Sequence, residues 1–193
     1  MLTVVSVSGA QAQSWDNLLR ALGLGGQPAQ QTATAAAHLS EQQLQATWVY
    51  SSPATGYDGN DALAAVGVKT LESMLPSLYL RAGLSEGNGT VEFRPDGVLE
   101  ARIGDHKVTG RYELSRSDGR LTLSARVGDV AGQLNGRASV DDGELTLLLD
   151  ASEAARLVER VSSKASSNEK FRLMKALLDK YPGIFIGCKM MRR

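Results

Sequence analysis

The spacing of apolar residues changes along the chain, and its longest regular pattern is an alternation of apolar and polar positions between Thr90 and Leu149. A period of two is typical of strands with one buried and one solvated face. Turn motifs divide this stretch, among them Pro-Asp-Gly at 95–97, Arg-Ser-Asp-Gly at 116–119 and Asp-Asp-Gly at 141–143. The pattern therefore predicts six antiparallel strands linked by hairpins.

Two further strands are predicted outside this run. The stretch LQATWVYSSPA, residues 44–54, is rich in aromatic residues and is expected to end at the turn Ser51-Ser52-Pro53. At the other end of the chain, alternation places Ile184, Ile186, Cys188 and Met190 on one face of a final strand. A six-stranded sheet with two open edges is prone to aggregate, so the first and last strands are expected to pair and close it.

Helical spacing predicts a helix over 60–82 and two helices within 150–181. Asp150, with Glu153 at capping-box spacing, and Asn168 are expected to cap the second and third helices. Pro76 is expected to kink or break the first helix. The apolar stripe of that first helix consists of Leu63, Val66, Leu71, Met74, Leu75, Leu78 and Ala82.

Eight strands in this order predict a mainly β fold with helical insertions, an eight-stranded antiparallel up-and-down β-barrel. Odd-numbered connections of such a barrel all lie at one end. The helices of 60–82 and 150–181 are connections one and seven, so both are expected at the same end, opposite the three tight turns. Gly110, Gly132 and Gly136 face inward in this alternation, which suits a strongly bent sheet.

Several segments resemble a family of secreted lipocalin-like proteins with no established activity, common in Bacteroidetes-type bacteria. The resemblance rests on ATWVY, then SPA, the helix, VEFRPDGVLEARIGDHKVTGRYEL and YPGIFIGCKM, and it covers about residues 45–191. The chain departs from the family pattern at Ala46, Pro76, Pro182 and Cys188. The resemblance implies a lipocalin-like barrel and export, and it implies no activity.

Composition narrows the function classes. The 193 residues include 21 Lys+Arg and 21 Asp+Glu, so the formal net charge is zero and nothing indicates binding to nucleic acid. The one cysteine, Cys188, excludes an intrachain disulfide. No apolar segment approaches the ~20 residues of a transmembrane helix. A monomer is expected.

The first residues resemble the end of a secretory signal peptide. Leu2 to Val7 is a short apolar run, and Ala10 and Ala12 form the small-x-small pattern of a cleavage site, although no basic region precedes them. The alternative is an apolar N-terminus without meaning. We expect a signal-peptide remnant over 1–12, a short helix and flexible linker over 13–38, and the barrel domain over 39–193, in an exported protein that is periplasmic or extracellular.

No residues have the spacing of a catalytic, metal or cofactor site, so the chain is not expected to be an enzyme. His38 and His106 have no second ligand nearby in sequence. Asp141 and Asp142 precede Gly143 and are explained by turn chemistry. Cys188 lies on an alternating strand face, where a small buried thiol is the better interpretation.

Two functional hypotheses stay open. In the first, a small apolar ligand binds in the barrel interior or its mouth, and the candidate ligand-binding residues are Trp48, Phe93, Tyr112, Leu71, Met74, Leu75 and Leu78. In the second, the helix of 60–82 plugs the mouth with Leu71, Met74, Leu75 and Leu78, and the filled barrel is a structural or interaction module of the cell envelope with a protein partner.

Overall fold

The computed structural model describes residues 39–127, 129–161 and 168–193. The predicted signal-peptide remnant, the short N-terminal helix and the linker of 13–38 lie outside these residues. The described residues all belong to one compact unit, Ala36–Arg193. The strands are β1 Thr47–Tyr57, β2 Gly89–Phe93, β3 Val98–Ile103, β4 His106–Leu114, β5 Arg120–Val127, β6 Val130–Asp141, β7 Glu144–Asp150 and β8 Ile184–Arg192. The helices are α1 Glu41–Leu44, α2 Ala62–Arg81, α3 Ala151–Val161 and α4 Glu169–Lys180.

The eight strands form a closed barrel in which each strand pairs antiparallel with its sequence neighbours. The seam is the pairing of β1 with β8, which runs from Trp48 opposite Arg192 to Tyr57 opposite Ile184. This confirms the predicted eight-stranded up-and-down barrel. We call the end with α2, α3 and α4 the helical end, and the end with the turns at 95–97, 116–119 and 141–143 the turn end.

Strand β1 is longer than expected, because it does not end at Ser51-Ser52-Pro53. The register between β1 and β8 shifts between Tyr50 and Ser52, which is a β-bulge, and pairing then continues to Tyr57. Pro53 lies opposite Cys188, in a part of β1 that has no β2 partner, since β1 and β2 pair only at 47–49. Proline has no backbone N–H to donate to a neighbouring strand, and it is tolerated there because this part of β1 has a neighbouring strand on one side only.

Helix α1 covers the turn end of the barrel. Ser40 and Gln43 form a capping box at its start, as the side chain of each accepts from the backbone of the other. Leu39 and Leu44 are buried, and they belong to the main core cluster inside the barrel. A second cluster, formed by α2, α3, α4 and Ile184, lies at the helical end.

Helix α2 differs from its prediction in two respects. It runs unbroken through the exposed Pro76. The predicted apolar stripe is wrong at Leu63 and Val66, which are 66% and 41% exposed. Its buried face instead runs through Ala64, Gly67, Leu71 and Leu75. Gly67 favours this face, since a Cβ there would lie 3.0 Å from Leu177 Cδ1 on α4 and a side chain would push Leu177 away.

Candidate functional site

The three aromatic residues predicted to line a ligand site come together at the turn end. Trp48, Phe93 and Tyr112 are all buried in the main core cluster. The rings of Phe93 and Tyr112 meet edge to face, with centroids 5.1 Å apart at 87°. Trp48 Nε1 donates to the Leu44 carbonyl at 2.8 Å, and the Tyr112 hydroxyl donates to the Arg94 carbonyl at 2.7 Å. Their donors are therefore satisfied within the protein, as buried polar groups require.

Of the four α2 residues predicted to plug the mouth, two lie in the cluster at the helical end. Leu71 and Leu75 are buried, while Met74 and Leu78 are half-buried. Leu71 and Leu78 pack in the cluster at the helical end and do not join the aromatic residues in the main core. Leu71 and Leu78 thus lie in a different cluster from the three aromatic residues.

The side chain that α2 does send into the barrel is Tyr79, which the sequence analysis missed. Its ring packs against the main core and meets Tyr50 edge to face, with centroids 6.1 Å apart. Its hydroxyl donates to the Gly187 carbonyl on β8 at 2.9 Å. Burial, and then the neighbouring Cys188 thiol, raises the pKa of Tyr79, while burial alone raises the pKa of Cys188 to about 12. Both groups are therefore neutral at physiological pH.

The barrel interior is packed at the turn end and accessible at the helical end of β3 to β6. At the turn end, inward-facing Leu99, Tyr112, Leu123 and Ala138 are buried. The inward-facing residues of the same strands at the helical end are not. Ile103 is 37% exposed, and the other members of this group are half-buried. We call this group the barrel mouth; it consists of Ala101, Ile103, Val108, Ala125 and Val130.

Helix α3 forms one side of the mouth because it lies against the part of β6 that β7 does not reach. Pairing of β6 with β7 starts at Gly136. Just beyond it, the Glu153 carboxylate accepts from Asn135 N at 2.7 Å and from Asn135 Nδ2 at 3.0 Å. One turn later Leu157 lies beneath Gly132, where a Cβ would be 2.6 Å from Leu157 Cδ1. Asp150 caps the helix as predicted, but the Glu153 carboxylate binds β6 and does not complete the capping box.

Glu100 is buried on the outer wall, although the alternation assigns it to the solvated face. Its carboxylate contacts Arg94 and Arg102 at 3.1 Å and Lys107 at 2.8 Å. The hydrogen bond from Lys107 first, and then that from Arg102, hold the pKa of Glu100 below its usual range against the effect of desolvation. The three partners of this carboxylate belong to the same part of the barrel wall, so the cluster stabilises the wall formed by β2, β3 and β4.

Within residues 39–127, 129–161 and 168–193, no three His, Cys, Asp or Glu side chains are grouped in a way that suits a metal ion. No helix among those residues has the length and apolarity needed to cross a membrane. The Asp141-Asp142-Gly143 turn is as predicted, with positive φ at Asp142 (47°) and Gly143 (81°).

Residues 25–192 match the family described as Lipocalin-like domain (DUF4923), so the match includes all eight strands. The chain belongs to this lipocalin-like family. No curated protein and no solved structure matches the sequence. The family agrees with the resemblance inferred from the motifs and with the observed barrel, and a lipocalin-like barrel fits a ligand-binding role. Export and a bacterial source stay predictions.

Proposed function

We propose that this lipocalin-like domain is a non-catalytic binding protein that takes a small apolar molecule, or the apolar part of one, into the barrel mouth. The observation that carries the proposal is the difference in burial along β3 to β6. Apolar side chains that face the interior are normally buried. Among the described side chains of β3 to β6, the inward-facing ones that are buried lie in the half of the barrel toward the turn end, and the exposed apolar one, Ile103, lies at the helical end.

The size of the mouth limits the ligand. Along β3 the inward-facing residues change from the buried Leu99 to the exposed Ile103 over four positions. At about 3.3 Å per residue this is about 13 Å along the strand, and with the usual strand tilt of about 40° the accessible depth is about 10 Å. Below this depth the aromatic residues and leucines of the main core fill the barrel. The ligand is therefore short, and Trp48, Phe93 and Tyr112 form the packed base beneath it.

A fluorescent apolar probe such as N-phenyl-1-naphthylamine tests the proposal. Ala125→Phe places a ring inside the mouth and is expected to weaken probe binding at least about tenfold. The matched control is Ala131→Phe on β6, where the same substitution points outward. Its probe affinity should stay within about twofold of the parent. If both variants fold, as judged by circular dichroism, and bind the probe equally well, the mouth is not the binding site. Separately, native mass spectrometry of protein purified from its host would identify a natural ligand that remains bound.

A second candidate is an interaction module of the cell envelope. It is favoured by large apolar side chains on the outside of the helices, since Leu63, Leu80 and Leu173 are each at least 60% exposed. The test is a pull-down from envelope extract, in which Leu63→Ser and Leu173→Ser should lose any partner that the parent chain recovers. Retention of the same partner by both variants would argue against this role for the helices.

We also propose that the protein is exported to the periplasm or the medium, on the basis of the apolar run and small residues at 2–12. Cell fractionation of the tagged chain in its host tests this. Recovery of all the protein from the cytoplasm would refute export.

A further inference from the structure

The outer wall of the barrel carries two concavities next to one another. The first has a volume of about 550 Å³ and lies over β4, β5 and β6, where Arg111, Arg126 and Gln133 point outward around it. The second has a volume of about 530 Å³ and lies between β6 and α3, with Arg156 and Arg160 on its helical side. Gln133 borders both concavities. We call the combined surface the arginine cleft.

The cleft follows from a row of small residues across three strands. Gly110 pairs with Ala125, and Ala125 pairs with Gly132. A Cβ at Gly110 would lie 3.0 Å from Ala125 Cβ and still closer to the Ser124 carbonyl oxygen, so β4 and β5 coil tightly at this point. The short outward side chains of Ser124 and Ala131 leave the space between the arginines open.

The arginines of the cleft have few partners within the protein. Over the described ranges, no hydrogen bond or ion pair engages the side chains of Arg126, Arg156 or Arg160, and Arg111 has only a long bond of 3.4 Å to the Asp96 carbonyl. Arg156 and Arg160 are also one helical turn apart, where like charges repel. By contrast, Arg102 and Arg137 on the barrel wall each have a carboxylate partner.

The two carboxylates that border the cleft do not neutralise it. Both oxygens of Glu153 are used by Asn135, at 2.7 and 3.0 Å. Glu159 contacts Lys175 at 3.6 Å. Four guanidinium groups against two carboxylates leave an excess of two positive charges. An anion in the cleft would therefore relieve repulsion and gain charge-assisted hydrogen bonds.

We propose that the arginine cleft binds a small molecule with two separate phosphate or sulfate groups, one in each concavity. Arginine presents a planar fork of donors that suits oxyanions, and Arg111 and Arg126 offer two such forks in the first concavity, as Arg156 and Arg160 do in the second. Gln133 lies between them and donates to the neutral part of the ligand. A discrete ligand is favoured over an anionic membrane because the arginines flank two shallow hollows whose lining includes no large apolar side chain that could enter a bilayer. This site is independent of the barrel mouth, which lies on the inner face of the same strands.

Isothermal titration calorimetry with fructose 1,6-bisphosphate as the probe tests the proposal, with inorganic phosphate as the single-group comparison. The bisphosphate should bind with one-to-one stoichiometry and at least about tenfold more tightly than phosphate. Arg126→Gln and Arg156→Gln, one in each concavity, should each weaken it about tenfold or more, as expected for a lost charge-assisted bond. The matched control Arg172→Gln removes the same charge from an exposed position on α4 and should change affinity less than about twofold.

Three results would overturn the proposal. In the first, the bisphosphate binds no more tightly than phosphate, which indicates an adventitious ion only. In the second, Arg126→Gln and Arg156→Gln bind like Arg172→Gln. In the third, the chain binds vesicles of phosphatidylglycerol but not the soluble bisphosphate. The apolar probe should bind the arginine variants normally, so failure of this site and failure of the mouth are distinguishable.

Discussion

Truncation of Phe93 to alanine decides whether the aromatic residues at the turn end are structural or bind ligand. Phe93 is 2% exposed, and its ring meets the Tyr112 ring at 5.1 Å and 87°. Removing a buried phenylalanine typically costs about 3–5 kcal/mol of unfolding free energy, which includes the cavity left behind. The edge-to-face contact contributes about 0.5–1.5 kcal/mol of that loss. The total is a large fraction of the about 5–15 kcal/mol that stabilises a typical domain.

Two companion variants test the neighbouring hydroxyl and the volume of the Phe93 ring separately. Tyr112→Phe keeps the ring and removes the hydroxyl that donates to the Arg94 carbonyl at 2.7 Å, so it should cost about 0.5–1.5 kcal/mol. Phe93→Leu keeps most of the buried volume and provides a folded variant if Phe93→Ala does not fold. A double-mutant cycle that combines Phe93→Leu with Tyr112→Leu removes both rings and isolates the ring contact.

The assay is urea unfolding followed by circular dichroism, together with titration of the apolar probe in the folded variants. We expect large losses of unfolding free energy and probe affinities within about twofold of the parent. The reasoning is refuted if Phe93→Ala loses less than about 1 kcal/mol while probe affinity falls tenfold or more. In that case the ring contacts the ligand and is not a packed base.

Three further predictions concern single contacts. Gly136→Ala should lower the unfolding free energy by about 1–3 kcal/mol because its Cβ strikes the Leu148 carbonyl oxygen on the paired strand, whereas Gly132→Ala meets the flexible end of Leu157 and should cost less; equal losses in the two variants would contradict this. The pKa of Glu100 is lowered from 4.5 in the folded chain, mainly by Lys107, so its stabilisation is present above about pH 4.5 and is lost as the pH falls through the folded pKa. Urea titrations from pH 3 to 8 should therefore show Glu100→Gln less stable than the parent at neutral pH and nearly equal to it in acid, whereas a gap independent of pH would exclude this linkage. Cys188, with its pKa raised to about 12, should react with a disulfide reagent at pH 8 at least about a hundredfold more slowly than free cysteine until urea unfolds the chain, and fast native labelling would mean that the β1–β8 seam opens.

The strands were predictable because their signal is local. Each hairpin has alternation on both sides of a turn motif, and the observed bounds differ from the expected ones by a residue or two for the run from β2 to β7. The closure by β1 and β8 followed from counting strands. The local sequence did not predict the length of β1, because Ser51-Ser52-Pro53 has the composition of a turn. Pairing with β8, more than a hundred residues later, overrides that preference and converts the expected end into a bulge.

The faces of α2 were harder to predict because large apolar residues dominate a sequence pattern. The pattern selects Leu63 and Val66, whereas packing selects Ala64 and Gly67, which are small enough for α4 to lie against. Tyr79 was missed for a related reason, as it lies beside the apolar stripe and its role depends on reaching the Gly187 carbonyl on a distant strand. Both results depend on the relative placement of helices and barrel, which periodicity does not encode.

For the barrel mouth too, alternation predicts which residues face the interior but does not predict which of them the helices cover. Alternation assigns Ala101 and Ala125 to the interior just as it assigns Leu99 and Leu123, and nothing local distinguishes the accessible pair from the buried pair. The difference arises because α2 lies along β1 and α3 lies along β6, so that neither of these two described helices lies along β3 to β5. The row Gly110, Ala125 and Gly132 then acts on both faces of the wall. Inside, the missing side chain of Gly132 lets Leu157 of α3 approach the wall, and outside, the tight coiling at Gly110 forms the floor of the arginine cleft. A bulky residue in this row is therefore expected to change both surfaces at once, whereas the outward arginines can be changed without effect on the mouth.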